Sequence, residues 1–189
     1  IIGQDLCVGD AIIGIESNGI HSNGLTLARK VLFEQGQYTV DSRLSTLPYT
    51  LGEELLRPTS IYVKEVMDIL GRGVSVKAMI HITGDGLLNL SRVKAKVGFR
   101  LDHVPEAMPI FSLIQQVGGI SHEEMFAVFN MGIGFCIIVE ATNVDCVLST
   151  VHSHGKRALK IGEVIPDEHR RVFIEPYRLV GQGKQFLKA

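Results

Sequence analysis

The pattern of apolar and polar residues predicts strands and helices that alternate along the chain. Residues 133–139 are continuously apolar, which is typical of a central strand covered on both faces of a sheet. Residues 97–104 alternate apolar and polar positions, the period of a strand with one buried face. Apolar runs bounded by turn residues predict further strands at 11–15, 76–82, 158–165 and 171–175.

Apolar residues at helical spacing predict helices between these strands. Pro58 is placed to start a helix over residues 59–70, which Gly71 ends. Its buried stripe is predicted to contain Ile61, Tyr62, Val66, Ile69 and Leu70. A Ser-x-x-Glu capping box at Ser121 opens a helix over 121–130. The remaining helices are predicted at 87–93, 109–117 and 143–154, and residues 37–50 are polar and turn-rich, as in a loop or flap.

Strands interleaved with helices, with a strand pair at the end, predict an α+β fold in which helices flank a mixed β-sheet. The strand pair is expected to be a hairpin of residues 158–165 and 171–175, joined by the short link at 166–169. We expect a lead-in at residues 1–10, a single domain at 11–176 and a tail at 177–189.

A polar turn after the first strand holds the first candidate for chemistry, His21, followed by Ser22 and Asn23. Ser22 or Asn23 can cap the next helix, whose apolar positions recur until Gly36 stops it. The start of a helix has unpaired N–H groups and the positive end of the helix dipole, and anions bind there. A lone histidine in a loop is more often a surface or capping residue, so the residues alone leave both interpretations of His21 open.

A glycine-rich turn between a strand and a helix is the second candidate site, with His81, Thr83, Gly84 and Gly86. Glycines let several backbone N–H groups converge on an anion, although an ordinary tight turn has the same composition. Asp85 interrupts this turn. A carboxylate about 4 Å from a phosphate charge would cost roughly 1 kcal/mol in water and about 4 kcal/mol at an effective dielectric near 20. Either Asp85 points away, or it holds a cation, or the turn binds no phosphate.

Asn130 opens a helix-to-strand turn that runs to Gly134. A glycine that ends the helix explains this turn as well as a functional role does, so both interpretations stay open. Metal-ligand spacing is absent among the remaining histidines, which are His103, His122, His152, His154 and His169. The three cysteines form no Cys-x-x-Cys pair, and we predict no metal site in these residues.

Composition and charge narrow the classes of partner. The chain has 19 basic and 20 acidic residues, and this balance argues against a general nucleic-acid or anionic-membrane surface. Hydrophobic residues make up 46%, as in an ordinary globular domain. The longest apolar stretch is far shorter than the roughly 18 residues that cross a bilayer, and no secretory leader is apparent. We therefore expect a cytoplasmic protein with no nucleic-acid or membrane partner.

Four motifs in the same order resemble the C-terminal domain of the aminoimidazole ribonucleotide synthetase family, also called phosphoribosylformylglycinamidine cyclo-ligases. They are GIHSNGLTLARKVL, LLRPTSIYVKEV, HITGDGLLNLSRV and EEMFAVFNMGIGFCIIV, and the segments ALKIGEVI and RRVFIE fit the family's closing strands. The resemblance covers almost the whole chain. It implies a layered α+β domain and an ATP-dependent ring closure that converts formylglycinamidine ribonucleotide into aminoimidazole ribonucleotide.

The resemblance also implies roles for the candidate residues. His21 would transfer a proton or orient an oxygen, while Ser22, Asn23 and Asn130 would donate or accept hydrogen bonds with substrate. The loop of His81, Thr83, Gly84 and Gly86 would bind an anion, although Asp85 departs from the run of glycines that the family has there.

By the same resemblance, ATP and Mg²⁺ would bind mainly to an N-terminal domain that this chain lacks. The full-length protein would be a homodimer acting on a small phosphorylated ribonucleotide, and the chain alone would be inactive. Two alternatives stay open: a divergent member of the superfamily with another substrate, and a ligand-binding module without catalysis. The superfamily includes formylglycinamidine ribonucleotide synthetase, selenophosphate synthetase, thiamine monophosphate kinase and a hydrogenase maturation protein.

Overall fold

An eight-stranded mixed sheet runs through the computed structural model, which describes residues 1–189. The strands are β1 (Ala11–Glu16), β2 (Val76–His81), β3 (Gly98–Leu101), β4 (Ile133–Val139), β5 (Ala158–Ile165), β6 (Val172–Ile174), β7 (Leu179–Gln182) and β8 (Gln185–Lys188). Their order across the sheet is β2-β4-β1-β5-β3-β6-β7-β8. Neighbouring strands are antiparallel except β3 and β6, which are parallel. The predicted α+β class with a mixed sheet is confirmed.

Helices cover both faces of the sheet. The α-helices are α1 (Leu25–Arg29), α2 (Leu51–Leu55), α3 (Val63–Gly71), α4 (Pro109–Gly118), α5 (His122–Val128) and α6 (Val144–Ser153). A π-helical segment, Lys30–Gln35, continues α1 and ends at Gly36 as predicted. Short 3₁₀ segments lie at Gly86–Arg92, Ala141–Asn143 and Glu175–Tyr177. No helix is both long enough and apolar enough to cross a bilayer.

The core is divided by the sheet into a larger and a smaller cluster. Ile12 and Ile138 belong to the larger one, together with residues of α1, α4 and α5. Ile13 and Ile137 belong to the smaller one, which α3 and α6 cover. Neighbouring residues of β1 and of β4 therefore face opposite sides, and the prediction that 133–139 is covered on both faces is confirmed.

The predicted hairpin between 158–165 and 171–175 is wrong, because β3 lies between β5 and β6. Phe99 of β3 pairs with Val164 on one side and Val172 on the other, and its side chain is fully buried. The order of these strands therefore depends on β3, which is far from both β5 and β6 in sequence. Residues 177–189, which the sequence assigned to a tail, form β7 and β8 and extend the sheet.

The second predicted helix begins later than expected, at Val63 rather than at residue 59. The segment before it is held against the turn after β1: Asn18 Nδ2 donates to the Pro58 carbonyl at 2.9 Å, and Ser22 Oγ lies 3.2 Å from Thr59 Oγ1. Tyr62 and Ile69 of the expected stripe are buried, Val66 is half-buried, and Ile61 and Leu70 are exposed.

Local capping differs from expectation in two further places. Helix α1 is preceded by Gly24 in a left-handed conformation, with no side-chain cap, so the expected cap by Ser22 or Asn23 is wrong. A Cβ on Gly24 would lie 2.3 Å from Phe129 Cε1, which explains why a residue with no side chain sits there. The short helix α2, opened by a Thr50–Glu53 capping box, was not predicted.

Candidate functional site

Three connecting segments meet at one edge of the sheet. β4 is antiparallel to both β1 and β2, so the start of β4 lies beside the ends of those two strands. The turn after β1, the loop after β2 and the turn before β4 are therefore neighbours, although they are more than 40 residues apart in sequence. These are the three segments that hold every candidate site residue.

His21 is held inside this edge by contacts to its Nε2 atom. Only 4% of the residue is exposed, and its φ is positive, at 58°. Nε2 lies 3.0 Å from Asn18 Oδ1 and 3.4 Å from the backbone nitrogens of Asn18 and Ser60. The 3.0 Å contact needs a proton on Nε2, whereas the N–H groups of Asn18 and Ser60 need a lone pair there, so these contacts fit different tautomers of the ring. Nδ1 is buried without a hydrogen-bond partner.

The surroundings of His21 keep its imidazole neutral. Burial, followed by the nearby charges of His81 and Arg57, lowers the pKa of His21 from 6.5 to about 4. Removing an ion from water is unfavourable, and a neighbouring cation adds repulsion. At neutral pH the side chain is thus an uncharged imidazole whose Nδ1 has no protein partner.

Arg57 is a further member of this edge. Its Nη1 lies 3.1 Å from Glu54 Oε1, and its guanidinium lies 5.7 Å from the ring centre of Tyr49. Glu54 is buried, so the pair fixes the guanidinium on the His21 side of α2. No sequence signal reveals this, because the position of Arg57 depends on how α2 folds back onto the turn after β1.

Ser22 and Asn23 lie at the outer rim of the same edge. Ser22 is exposed, and Asn23 is half-buried and makes no hydrogen bond through its amide. A Cβ added to Gly84 would lie 3.8 Å from Asn23 Oδ1, so the turn after β1 and the loop after β2 adjoin here. The structure therefore brings His21, Ser22, Asn23 and Gly84 together.

The loop after β2 is organised by Asn89, a residue that sequence reasoning missed. Asn89 Oδ1 accepts hydrogen bonds from Thr83 N at 2.8 Å and Thr83 Oγ1 at 3.1 Å, while its Nδ2 donates to Gly84 O at 2.8 Å. Gly86 N donates to Thr83 O at 3.0 Å. Thr83 and Gly86 are thus committed to the loop itself, whereas the N–H groups of Gly84 and Asp85 have no partner within the chain.

Of the three alternatives expected for Asp85, the structure shows the first: its side chain points away, toward Arg92. Its Oδ2 lies 2.7 Å from Arg92 Nη2, at the end of the 3₁₀ segment that follows the loop. Its φ of 74° is a conformation that Asp tolerates better than most residues. His81 is exposed at the start of the loop, 6.1 Å from the ring centres of both Tyr62 and Phe135.

Asn130 joins two of the three segments rather than facing a ligand. Its Oδ1 accepts hydrogen bonds from Ser17 Oγ at 2.8 Å and Gly132 N at 2.9 Å, and its Nδ2 donates to Gly19 O at 2.9 Å. The residue is fully buried. The expectation that Asn130 binds substrate is therefore corrected, because both polar atoms of its amide already have partners within the chain.

Two grooves border this edge. The larger, about 650 Å³, is lined by Glu16, Gly132, His152, Arg157 and the segment 105–109, and it does not include His21. A second groove of about 430 Å³ is mostly apolar and lies beside His81, with Ile61, Tyr62, Met67 and Phe135 in its walls. Of the two, only the second adjoins the His21 side of the edge, through Tyr62 and His81.

Solved structures share this fold. Thiamine-monophosphate kinase from Stenotrophomonas maltophilia superposes with a TM-score of 0.57 at 19% identity, over 91% of this chain and 52% of that chain. PurL of T. maritima, solved with ATP, gives a TM-score of 0.51 at 13% identity, over 93% of this chain and 25% of that chain. At these identities the likeness defines the fold alone.

Sequence comparison defines the family. The family model described as "AIR synthase related protein, C-terminal domain" matches residues 8–175, and the chain belongs to this family. The phosphoribosylformylglycinamidine cyclo-ligase of Methanothermobacter thermautotrophicus is 46% identical over 164 residues, which cover 87% of this chain and 47% of that protein. The chain thus spans about half the length of the curated relatives it matches.

Proposed function

We propose that this chain is the substrate-facing C-terminal domain of an ATP-dependent cyclo-ligase that converts formylglycinamidine ribonucleotide into aminoimidazole ribonucleotide. The observation that carries the proposal is the 46% identity to a named cyclo-ligase over 87% of the chain. In the longer protein, ATP and Mg²⁺ bind mainly to the part that precedes this chain, and the protein works as a homodimer in the cytoplasm.

The chemistry needs an amide oxygen to become a leaving group. Transfer of the ATP γ-phosphoryl group to the formyl oxygen gives ADP and a phosphate ester. An amidine nitrogen of the same molecule then attacks the formyl carbon, the carbon–oxygen bond breaks, and phosphate leaves. The attacking nitrogen loses a proton in closing the ring. A neutral base is required for that step, and it contributes typically 10² to 10⁴-fold in rate.

His21 supplies this base. Its pKa of about 4 keeps it unprotonated at neutral pH, and its Nδ1 has no protein partner. In the tautomer with the proton on Nε2, Nδ1 carries a lone pair, and the developing positive charge on the attacking nitrogen strengthens a hydrogen bond to it. A low pKa limits the driving force for complete proton transfer, so His21 works best when substrate phosphate nearby raises that pKa.

The rim of the site binds the substrate's polar groups. The free N–H groups of Gly84 and Asp85 point to an anion, with Ser22 and Asn23 beside them. Arg57 adds a positive charge at the same edge. Nowhere in the chain do three histidine, cysteine or carboxylate side chains lie close enough together to hold a metal ion.

The test is turnover by the natural full-length protein that contains this chain. With Mg-ATP and formylglycinamidine ribonucleotide, we expect ADP and aminoimidazole ribonucleotide in equal amounts. His21→Ala should lower kcat by roughly 10² to 10⁴-fold. His103→Ala is the matched control, because that histidine has a side chain 79% exposed and lies outside the site.

Three outcomes are informative. An unchanged kcat in His21→Ala would return His21 to a structural role. Release of ADP with the substrate of another superfamily member, and not with formylglycinamidine ribonucleotide, would reassign the substrate. Binding of the ribonucleotide without ADP release would make the protein a binding module.

A further inference from the structure

Gly134 of β4 marks a point where two side chains approach the backbone closely. A Cβ built on this glycine would lie 1.9 Å from Tyr62 Oη and 2.8 Å from His21 Cε1. The tyrosine hydroxyl and the edge of the imidazole therefore occupy the same small space above Gly134. Any side chain at residue 134 would displace both groups, since real Cβ contacts below 3.0 Å are essentially absent from proteins.

Tyr62 is itself fixed from several directions. Its hydroxyl donates a hydrogen bond to the carbonyl oxygen of Glu16, the last residue of β1, at 2.8 Å. Its ring stacks on Phe135 with centres 5.3 Å apart and meets His81 edge-on at 6.1 Å. Only 5% of the residue is exposed. The hydroxyl therefore has a defined position relative to the end of β1, from which the chain continues to His21.

Lys156 and Arg157, two neighbouring residues before β5, bind the start of α3 and the end of β1. Lys156 Nζ lies 2.6 Å from Glu65 Oε1 on α3, one turn after Tyr62, and 5.7 Å from the Tyr62 ring centre. Arg157 donates to the Glu16 carboxylate from its backbone nitrogen at 3.0 Å and from Nε at 2.8 Å. The start of α3 and the end of β1 are thus attached to the same short segment.

We propose that Tyr62 is a positioning residue, which holds the imidazole of His21 in one plane above Gly134 so that Nδ1 stays free of protein partners. This inference rests on the proposed function of His21 as the base. Nothing in the proposed reaction involves Tyr62 directly, since its hydroxyl donates to Glu16 O and lies beside the edge of the imidazole above Gly134. A displacement of a catalytic group by about 1 Å can cost 10²-fold in rate.

Removing the hydroxyl has a consequence that can be measured. The groups that face His21 are the cationic Arg57, the His81 ring, the Tyr62 hydroxyl and the polar contacts of Asn18 and Ser60 at Nε2. Tyr62→Phe keeps the stacked ring and leaves a space beside Cε1, into which water or the imidazole itself can move. Because burial is the largest cause of the low pKa, a wetter and looser imidazole should have a higher one.

The experiment is an NMR titration of the histidine Cε1–H signals in this chain. We expect the pKa of His21 to be about 4 in the wild type and to rise toward its ordinary value in Tyr62→Phe, because a wetter imidazole ionises more easily. Tyr177→Phe is the matched control, because the Tyr177 ring lies 4.9 Å from a different histidine, His122. An unchanged His21 pKa in Tyr62→Phe would overturn the proposal.

A second measurement needs no variant. A nuclear Overhauser effect between His21 Hε1 and the Tyr62 ring protons is expected in the wild-type chain, and its absence would also overturn the proposal. In the full-length enzyme, Tyr62→Phe should lower kcat by about tenfold with little change in KM. If His21→Ala retains full turnover while the Tyr62→Phe titration shifts, the proposed function fails and the positioning contact stands.

Discussion

At the scale of single residues, His21 combines a strained backbone with a buried base. Its φ of 58° lies in the left-handed region, where Asn is among the few residues enriched. In the folded protein the imidazole binds a proton only near pH 4, because burial and then the charges of His81 and Arg57 oppose its ionisation. In the unfolded chain it binds one near pH 6.5.

This difference predicts a pH-dependent stability. Between pH 6.5 and 4 the unfolded chain binds more protons at His21 than the folded one, so the free energy of unfolding falls as the pH falls through that range. Between pH 7 and pH 5, His21 accounts for about 2 kcal/mol of this fall in the free energy of unfolding. His21→Asn should remove this contribution, and urea unfolding at both pH values will measure it. His103→Asn should keep the wild-type dependence, and an equal fall in His21→Asn would refute the buried neutral state.

Some residues were predictable from the sequence and others were not. His21 was found because it lies in the polar turn between an apolar strand and a helix. Gly86 was predicted to help bind an anion, but a Cβ there would lie 2.1 Å from Phe126 O, so the residue is required for packing against α5. The roles of Asn89 and Arg57 depend on tertiary contacts that no short sequence pattern encodes.

At the scale of elements, apolar runs predicted the strands well because a strand with two covered faces must be apolar throughout. β4 was predicted with its observed bounds, Ile133–Val139. The start of α3 was missed because residues 58–60 bond to the turn after β1. Helix propensity after a proline is weaker than these non-local contacts.

Two ion pairs on α3 allow a matched test of burial. Lys156 pairs with Glu65, whose side chain is only 2% exposed, whereas Arg72 pairs with the more exposed Asp68. Lys156→Met should lower the free energy of unfolding by roughly 3 kcal/mol, because it leaves a buried carboxylate without its partner. Arg72→Met should change it little. Denaturant unfolding of both variants is the measurement, and equal effects would contradict this distinction.

The same pair has a pH signature. Burial raises the pKa of the Glu65 carboxyl, but the hydrogen bond and charge of Lys156 outweigh burial and hold that pKa below 4.5. A carboxyl with a depressed folded pKa contributes stability above its unfolded pKa and loses it as the pH falls. The stability difference between the wild type and Lys156→Met should therefore shrink when the pH is lowered below 4.

At the scale of the whole molecule, the final two strands close a side of the core. Leu179 and Phe186 are 2% and 3% exposed, and Phe186 meets Phe126 of α5 edge-on at 6.3 Å. The family match ends at residue 175, so β7 and β8 lie beyond the segment that it describes. These two strands were not predicted, because short strands at a sheet edge carry a weak apolar pattern.

Truncation after Pro176 should therefore destabilise the whole chain. Loss of the burial of Leu179 and Phe186 removes roughly 5 kcal/mol, which is comparable to the total stability of many domains. We expect loss of the cooperative thermal transition, measured by circular dichroism, together with aggregation through the uncovered β6 edge. Removal of Ala189 alone is the control and should leave the transition in place. A truncated chain with an unchanged transition would show that β7 and β8 are dispensable.

The position of β1 in the sheet has a consequence for biosynthesis. β1 is formed among the first residues of the chain, yet its two partners, β4 and β5, are Ile133–Val139 and Ala158–Ile165. While a ribosome extends the chain, this apolar strand has no partner until more than 100 further residues have been translated. Long-range pairing of this kind is slow and exposes the nascent chain to aggregation. Protection of β1 by chaperones during translation would thus matter more here than in a fold whose first strand pairs with the second.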